Sequence, residues 1–268
     1  MDYRILTTPE ELDPLPDLQT AVWHHDPVES VPVHMFLPVV HNGGVVIGAF
    51  DDRKLVGFCF GLPLRHAGRF ILWSHMAAVL PDYQDRGIGF DLKQAQRTWA
   101  LDNGYDTIGW TYDPLQRGNA NFNLHRLGAA AHTYLVNYYG TLFDGINAGL
   151  PSDRLEVLWR LDDSHVRLLA RETHTEAVHP APVLESFVLR ADAAGLPLID
   201  TSPLASSQPC YVEIPKDLQR LKRDNLDAAR IWRLALRSSL VDAFAGGFAA
   251  VDFITVGERC CYVLEKDV

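Results

Sequence analysis

The chain has 268 residues and a formal net charge of −10, from 24 Lys and Arg against 34 Asp and Glu. Hydrophobic residues make up 47% and charged residues 22%, ordinary globular usage that excludes wholesale disorder. The acidic balance excludes generic nucleic-acid binding and leaves room for a local basic site that holds an anionic cofactor.

Met1 to Leu6 goes directly into fold-like sequence, without the basic stretch and apolar core of a secretory leader. Tyr3 to Thr7 reads as a strand. Thr8-Pro9-Glu10-Glu11 reads as a helix start that resumes at Asp17 and runs to about His24. A loop rich in Pro and His is expected from His25 to His41. Val45–Phe50 and Leu55–Leu62 around Asp51-Asp52-Arg53-Lys54 read as a hairpin, and Phe70–Val79 as the next strand. Ile71 to Leu80 is the apolar run nearest to a membrane span, and Ser74 and His75 break it.

Pro81 to Gly89 is a polar, glycine-containing turn that opens a helix with apolar residues at Ile88, Leu92, Ala95 and Trp99 and a stop at Asn103-Gly104. Thr107–Thr111 is a short strand, Ala120–Leu127 a short helix ended by Gly128, and His132–Tyr139 a further strand. This alternation implies parallel strands with helical crossovers, hence an α/β sheet. Leu155–Leu161 reads as a strand. Asp162–Gln208 gives no long element, with Val166–Glu172 and Val183–Leu189 as candidate strands. Asp217–Phe244 reads as one amphipathic helix, followed by a hairpin of Phe248–Val256 and Cys260–Leu264. Cys59, Cys210, Cys260 and Cys261 have neither zinc spacing nor disulfide density and read as free thiols of a cytoplasmic protein. No residues suggest a metal site: His24 and His25 are adjacent and lack a zinc-binding spacing.

The turn carries the chemistry. Gln84-x-x-Gly87-x-Gly89 lets the backbone approach a ligand, aims successive N–H groups at one point and adds the positive end of the following helix, with Arg86 inside the loop. Those features suit a pyrophosphate. Residues 87–90 read Gly-Ile-Gly-Phe, which is neither a Walker loop nor a Rossmann fingerprint. A tight strand-to-helix turn that binds nothing is the bland alternative.

Val79-Leu80-Pro81, Gln84 to Gly89, and Leu127-Gly128-Ala129 about 40 residues on resemble the GNAT superfamily of N-acyltransferases, over roughly residues 3–140. Trp110 to Leu115, Asn119 to Leu124, Asn137-Tyr138-Tyr139-Gly140 and Pro151 to Leu155 resemble an outlying branch of predicted acyltransferases with a C-terminal extension, some members of which are associated with N-succinylation of amino acids. The resemblance implies an α/β fold with a mixed, splayed central sheet and flanking helices, and a C-terminal helix and β-hairpin added to it. The implied division is a GNAT-like acyl-CoA-binding domain over 1–150 and an extension packed on it over 151–268.

The resemblance also implies acetyl-CoA or succinyl-CoA as acyl donor. It places backbone groups of Ala77 and Val79 on the pantetheine arm, Gln84, Arg86, Gly87, Ile88 and Gly89 at the pyrophosphate, and Asn119 near the pantetheine. Many members carry a Tyr as general acid where this chain has Leu124, so Tyr138, Tyr139 and His125 become candidate proton donors.

Aminolysis of a thioester needs a neutral amine, and His75, expected on one strand face with Trp73 and Ala77, is the first candidate base. Asp113 is the second. A carboxylate on the acyl group or acceptor calls for arginine, and Arg154, Arg233 and Arg237 are the candidates, the last two sharing a helix face. The expected partner is a small-molecule amine or amino acid, with no nucleic acid or membrane. A homodimer stays open. The alternatives are a CoA-binding regulatory or scaffold module without catalysis, and a protein that uses the turn for ATP.

Overall fold

The computed structural model describes residues 1–24, 26–140, 149–171, 179–205 and 209–266. The chain forms two compact units, Met1–Trp110 with Arg160–Asp163, and Thr111–Trp159 with Ser164–Val268.

The first unit begins with β1 (Asp2–Ile5) and α1 (Pro9–Leu12). Thr8 accepts from the Glu11 N–H while the Glu11 carboxylate reaches back, a capping box that explains the helix start. Then come α2 (Leu15–Trp23) and α3 (Val33–Val40). The sequence reads α3 as loop because of its prolines. It is helical despite Pro38 because burial outweighs propensity: Phe36 is fully buried, with its ring 4.8 Å from Phe60 and 6.5 Å from Phe58. The Gln19 side chain holds the preceding segment through both backbone groups of Val31.

β2 (Val45–Asp51), β3 (Lys54–His66) and β4 (Arg69–Val79) form an antiparallel meander, with β1 on the outer edge of β2. α4 (Ile88–Asp102) then leads to β5 (Thr107–Tyr112), which runs parallel to β4, as the alternation of elements predicts. β4 and β5 pair at Leu72↔Ile108 and Trp73↔Gly109 and then diverge, so that among the described residues Ser74–Val79 is paired through β3 alone. Gly109 permits the last rung, since a Cβ there would lie 3.0 Å from the Trp73 ring. The sheet is therefore mixed and splayed, as expected.

One expectation fails in this sheet. The register passes from Gly61↔Ser74 to Phe60↔Met76, which leaves His75 as the extra residue of a β-bulge. Alternation resets there. Trp73 shares the face of Leu62 and Phe60, and Ala77 takes the opposite face with Cys59, so Trp73, His75 and Ala77 do not form one row.

In the second unit, α5 (Arg117–Ala120) passes into a π-helical turn at Asn121–Arg126 before β6 (Ala130–Leu135). Then follow β7 (Arg154–Arg160), α6 (Ser164–Leu169), β8 (Phe187–Ala191), β9 (Pro197–Ile199) and β10 (Cys210–Ile214). α7 (Leu218–Asp224), α8 (Leu226–Ala245) and the β11 (Phe248–Val256) and β12 (Arg259–Lys266) hairpin complete it. The strand order is β7-β6-β11-β12-β10-β8-β9.

Residues 164–169 are helical rather than extended; Val166 and Leu169 bury one side of that helix, and Glu172 lies outside the described residues. The expected single C-terminal helix is two, because Asn225 leaves helical geometry at φ −156° and caps α8 through the Ala228 N–H. The strand at 132–139 ends at Leu135, so Tyr138 and Tyr139 lie in the turn that follows. All four cysteines are free and buried. Among the described residues no helix is long and apolar enough to cross a membrane, and no group of His, Cys, Asp or Glu could hold a metal ion.

Candidate active site

The turn between β4 and α4 is fastened at its start by two adjacent residues. Gln84 donates from Nε2 to the Val79 carbonyl at 3.0 Å, and Tyr83 donates to Asp51 at 3.1 Å. Arg86 is exposed, with its guanidinium 5.1 Å from the Tyr83 ring centre. Asp85 and Gly87 both have positive φ, +58° and +83°, and this reverses the chain into α4. Gly87 is thus required by its conformation. Gly89 is not: its φ is ordinary, it lies in the first turn of α4, and a Cβ there would meet no atom within 4 Å. Glycine in a helix costs about 1 kcal/mol relative to alanine, with no packing reason here to accept that cost. Its effect is to keep open the space over the first-turn amides, which have no helical carbonyl partners and carry the positive end of the helix. Asp82, Asp85 and Asp91 are the acids nearest in sequence, and Asp91 accepts from the Tyr3 hydroxyl at 2.7 Å.

Along the open edge of β4, Ala77 and His75 are exposed. Bulging turns the His75 ring onto the edge of Phe60, 6.0 Å between centres. Desolvation by the surrounding protein lowers the pKa of the His75 imidazole, favouring the neutral form with a free lone pair.

Where β4 and β5 part, a polar cluster is buried that sequence reasoning missed. Lys93 of α4 donates from Nζ to Ser74 Oγ at 2.9 Å and to Gln96 Oε1 at 3.0 Å, and lies 3.8 Å from the centre of the Trp110 ring. Ser74 in turn donates to Gln96 Oε1 at 2.9 Å. Burial lowers the Lys93 pKa from 10.5 to about 7. The only sequence signal is a Lys and a Gln at positions 5 and 8 residues after Ile88, on the buried side of α4.

In the second unit the structure joins several predicted residues to one another. Arg233 is 1% exposed and pairs with Asp113 at 2.7 Å; Asp113 also accepts from the Leu115 N–H at 2.9 Å. Arg237 binds Asp153 with two bonds of 2.9 Å, and Tyr134 donates to the same carboxylate at 2.8 Å. Arg154 donates to the Asp153 carbonyl and lies 5.2 Å from the Tyr139 ring centre. Tyr138 and Tyr139 are each 49% exposed, with their rings edge to face at 4.7 Å. Arg237 lines a cavity of about 470 Å³ with Val136, Asn137, Gly140 and Gly149–Pro151. His125 is held by Asp252 at 2.9 Å, Leu124 is fully buried, and Asn119 is exposed on α5.

Residues 9–129 match the model of the acetyltransferase (GNAT) family. No curated protein matches the chain significantly. Solved structures that match part of the chain include the ribosomal-protein-S18-alanine N-acetyltransferase from Escherichia coli, at 15% identity and TM-score 0.49, covering 61% of this chain and 95% of that one. An N-acetyltransferase from Staphylococcus aureus Mu50 is 17% identical with TM-score 0.49, covering 60% and 100%. The yncA protein from Salmonella typhimurium, solved with its cofactor acetyl-CoA, is 16% identical with TM-score 0.48, covering 69% and 98%.

Proposed function

We propose that this chain, whose residues 9–129 match the model of the acetyltransferase (GNAT) family, is an acyl-CoA-dependent N-acyltransferase that moves an acetyl or succinyl group to a small amine, foremost the α-amino group of an amino acid. The observation that carries the reading is Gly89, a helix-weakening residue that neither conformation nor packing requires, placed where a pyrophosphate would sit on free amides. Arg86 with the amides of Gly87, Ile88 and Gly89 would hold the phosphates. Gln84 would act by fixing the turn to Val79. The β4 edge at Ala77 and Val79, where the Val79 carbonyl already accepts from Gln84, would take the amides of the pantetheine arm, as a strand takes a neighbour, with Asn119 near that arm. His75 would remove the proton of the attacking amine, for which its lowered pKa suits it: the base is neutral at neutral pH.

A net charge of −10 opposes polyanionic acceptors. Arg233 and Arg237 both have a carboxylate partner inside the fold, Asp113 and Asp153, but Arg237 also lines a cavity, so Arg237, with Arg154, is the candidate to hold a substrate carboxylate. Asp113 is engaged by Arg233 and the Leu115 N–H, which leaves His75 as the first candidate base. Tyr138 and Tyr139 are half-exposed and would be candidate proton donors. The functional division at about residue 150 would cut the second compact unit between β6 and β7, which pair over Ala130–Leu135 and Arg154–Leu158.

Thiol release from acetyl-CoA and succinyl-CoA, screened against free amino acids of both hands, small amines and a lysine peptide, tests the reading. Free amino acids are expected to react fastest, and Arg237→Ala to raise KM for an amino acid without raising it for the amide. Faster acylation of the lysine peptide would overturn the substrate class. CoA binding without turnover on any acceptor would leave a binding module.

A further inference from the structure

Lys93 has no role in the acyltransferase reading so far, yet it is 3% exposed in the middle of the strand–turn–helix unit that the reading uses. The protein around it is chosen to hold an amine. Ser74 and Gln96 accept from it, and the Trp110 face lies 3.8 Å away. Ser74 belongs to β4 and Trp110 to β5, and both come just after the last rung that joins those strands, Trp73↔Gly109. Lys93 therefore sits at the fork of the splay.

Length connects the fork to the turn. From Val79 back to Ser74 is five residues of strand, roughly 16 Å at ~3.3 Å per residue. The pantetheine arm has about 13 backbone bonds from phosphate to sulfur, a little over four extended residues, or ~15 Å. An arm that starts at the 84–89 turn and follows the open edge of β4 brings its sulfur to the fork.

We infer that Lys93 is a catalytic residue that gives its ammonium proton to the thiolate released from the acyl donor, an inference that rests on the acyl-CoA reading above. The amine nitrogen attacks the thioester carbonyl, the C–S bond breaks, and its electron pair leaves on sulfur. Sulfur takes the proton from Lys93 Nζ, and the proton lost by the attacking amine restores Lys93 through solvent. The lowered pKa of Lys93, about 7, suits an acid that must give up its proton to a thiolate at neutral pH. The groups that face Nζ include Ser74, Gln96 and Trp110, which do not titrate in this range, and the Cys59 thiol of β3, which burial pushes up to about 12.

Titration of the thiol of bound CoA, followed by thiolate absorbance against a blank of the protein with desulfo-CoA, tests the assignment without knowledge of the acceptor. A thiolate beside Lys93 would hold the ammonium proton to higher pH than in the ligand-free protein, so in the wild type the bound thiol should ionise about one pH unit or more below free CoA. Lys93→Met should return it to the free value while desulfo-CoA affinity stays within about threefold. Turnover of acetyl-CoA by that variant should fall about a hundredfold, and much less with a thiophenol ester, whose thiolate needs no proton. A bound thiol that titrates as in free solution in the wild type, or an equal shift in both proteins, overturns the assignment even if Lys93→Met folds poorly. Failure of the wild type to bind CoA at all is a different result, and it removes the acyl-CoA reading itself.

Discussion

Buried charge decides what several single residues can do. Arg233 is a fully desolvated cation whose partner, Asp113, lies 120 positions away in the chain. Removing one member of such a pair strands the other, which costs about 3–5 kcal/mol. Asp113→Ala should lower the unfolding free energy by that amount in urea denaturation, and Asp113→Leu with Arg233→Met should recover most of it. Unchanged stability in Asp113→Ala would show that the pair is not a structural tie. Any activity lost by Asp113→Ala has to be read after this effect. The pairing was not visible in the sequence: Asp113 before Pro114 and two arginines four apart on a helix both looked like groups facing a ligand, and no local spacing reports a partner over a hundred residues distant. Lys93 was hidden for another reason. Apolar periodicity picked out Ile88, Leu92, Ala95 and Trp99, whereas the buried side of α4 is Ile88, Leu92, Lys93, Gln96 and Ala100. A hydrophobic pattern cannot register a face that buries a lysine.

At the level of elements, segments specified by local chemistry were legible and those specified by tertiary contacts were not. The capping box at Thr8, the β2–β3 hairpin, the 84–89 turn and the final hairpin follow from residues a few positions apart. Helix α3, the bulge at His75 and the break at Asn225 depend on what the segment packs against or caps. The π-helical turn at Asn121–Arg126 belongs with these, and it carries a testable pH dependence. The Asp252 hydrogen bond raises the His125 pKa, against a smaller opposing effect of burial. Burial pushes Asp252 up, but the bonds from His125 and the Phe253 N–H and the charges of His125 and His179 outweigh it, so its pKa is lowered. Arg126 and Glu265 are the other charged groups close by, Arg126 near His125 and Glu265 3.6 Å from His179. His125, with its pKa raised on folding, contributes stability that is complete below the ordinary imidazole value and disappears as pH rises through the folded value. The Asp252 contribution is complete above the ordinary carboxylate value and disappears as pH falls through its folded value. The midpoint of thermal unfolding should therefore fall between about pH 6 and about pH 8, and Asp252→Asn should flatten that fall. Calorimetry across the range that finds the same slope in both proteins would contradict the coupling.

For the whole molecule, net charge narrows the range of partners and a local site supplies the function. A surface at −10 is a poor host for a phosphate-rich ligand unless local donors offset it, the role proposed for the amides at the start of α4 with Arg86. On the proposed function, this turn binds acyl-CoA through space that Gly89 keeps open. Calorimetric titration of CoA into the wild type and into Gly89→Leu tests it most directly, because that substitution suits the helix and meets no protein atom at its Cβ. The account predicts binding by the wild type, at least about a hundredfold weaker binding by Gly89→Leu, and an unfolding midpoint in the variant no lower than in the wild type. Equal CoA affinity in the two folded proteins would contradict it and reduce the turn to a connection between strand and helix.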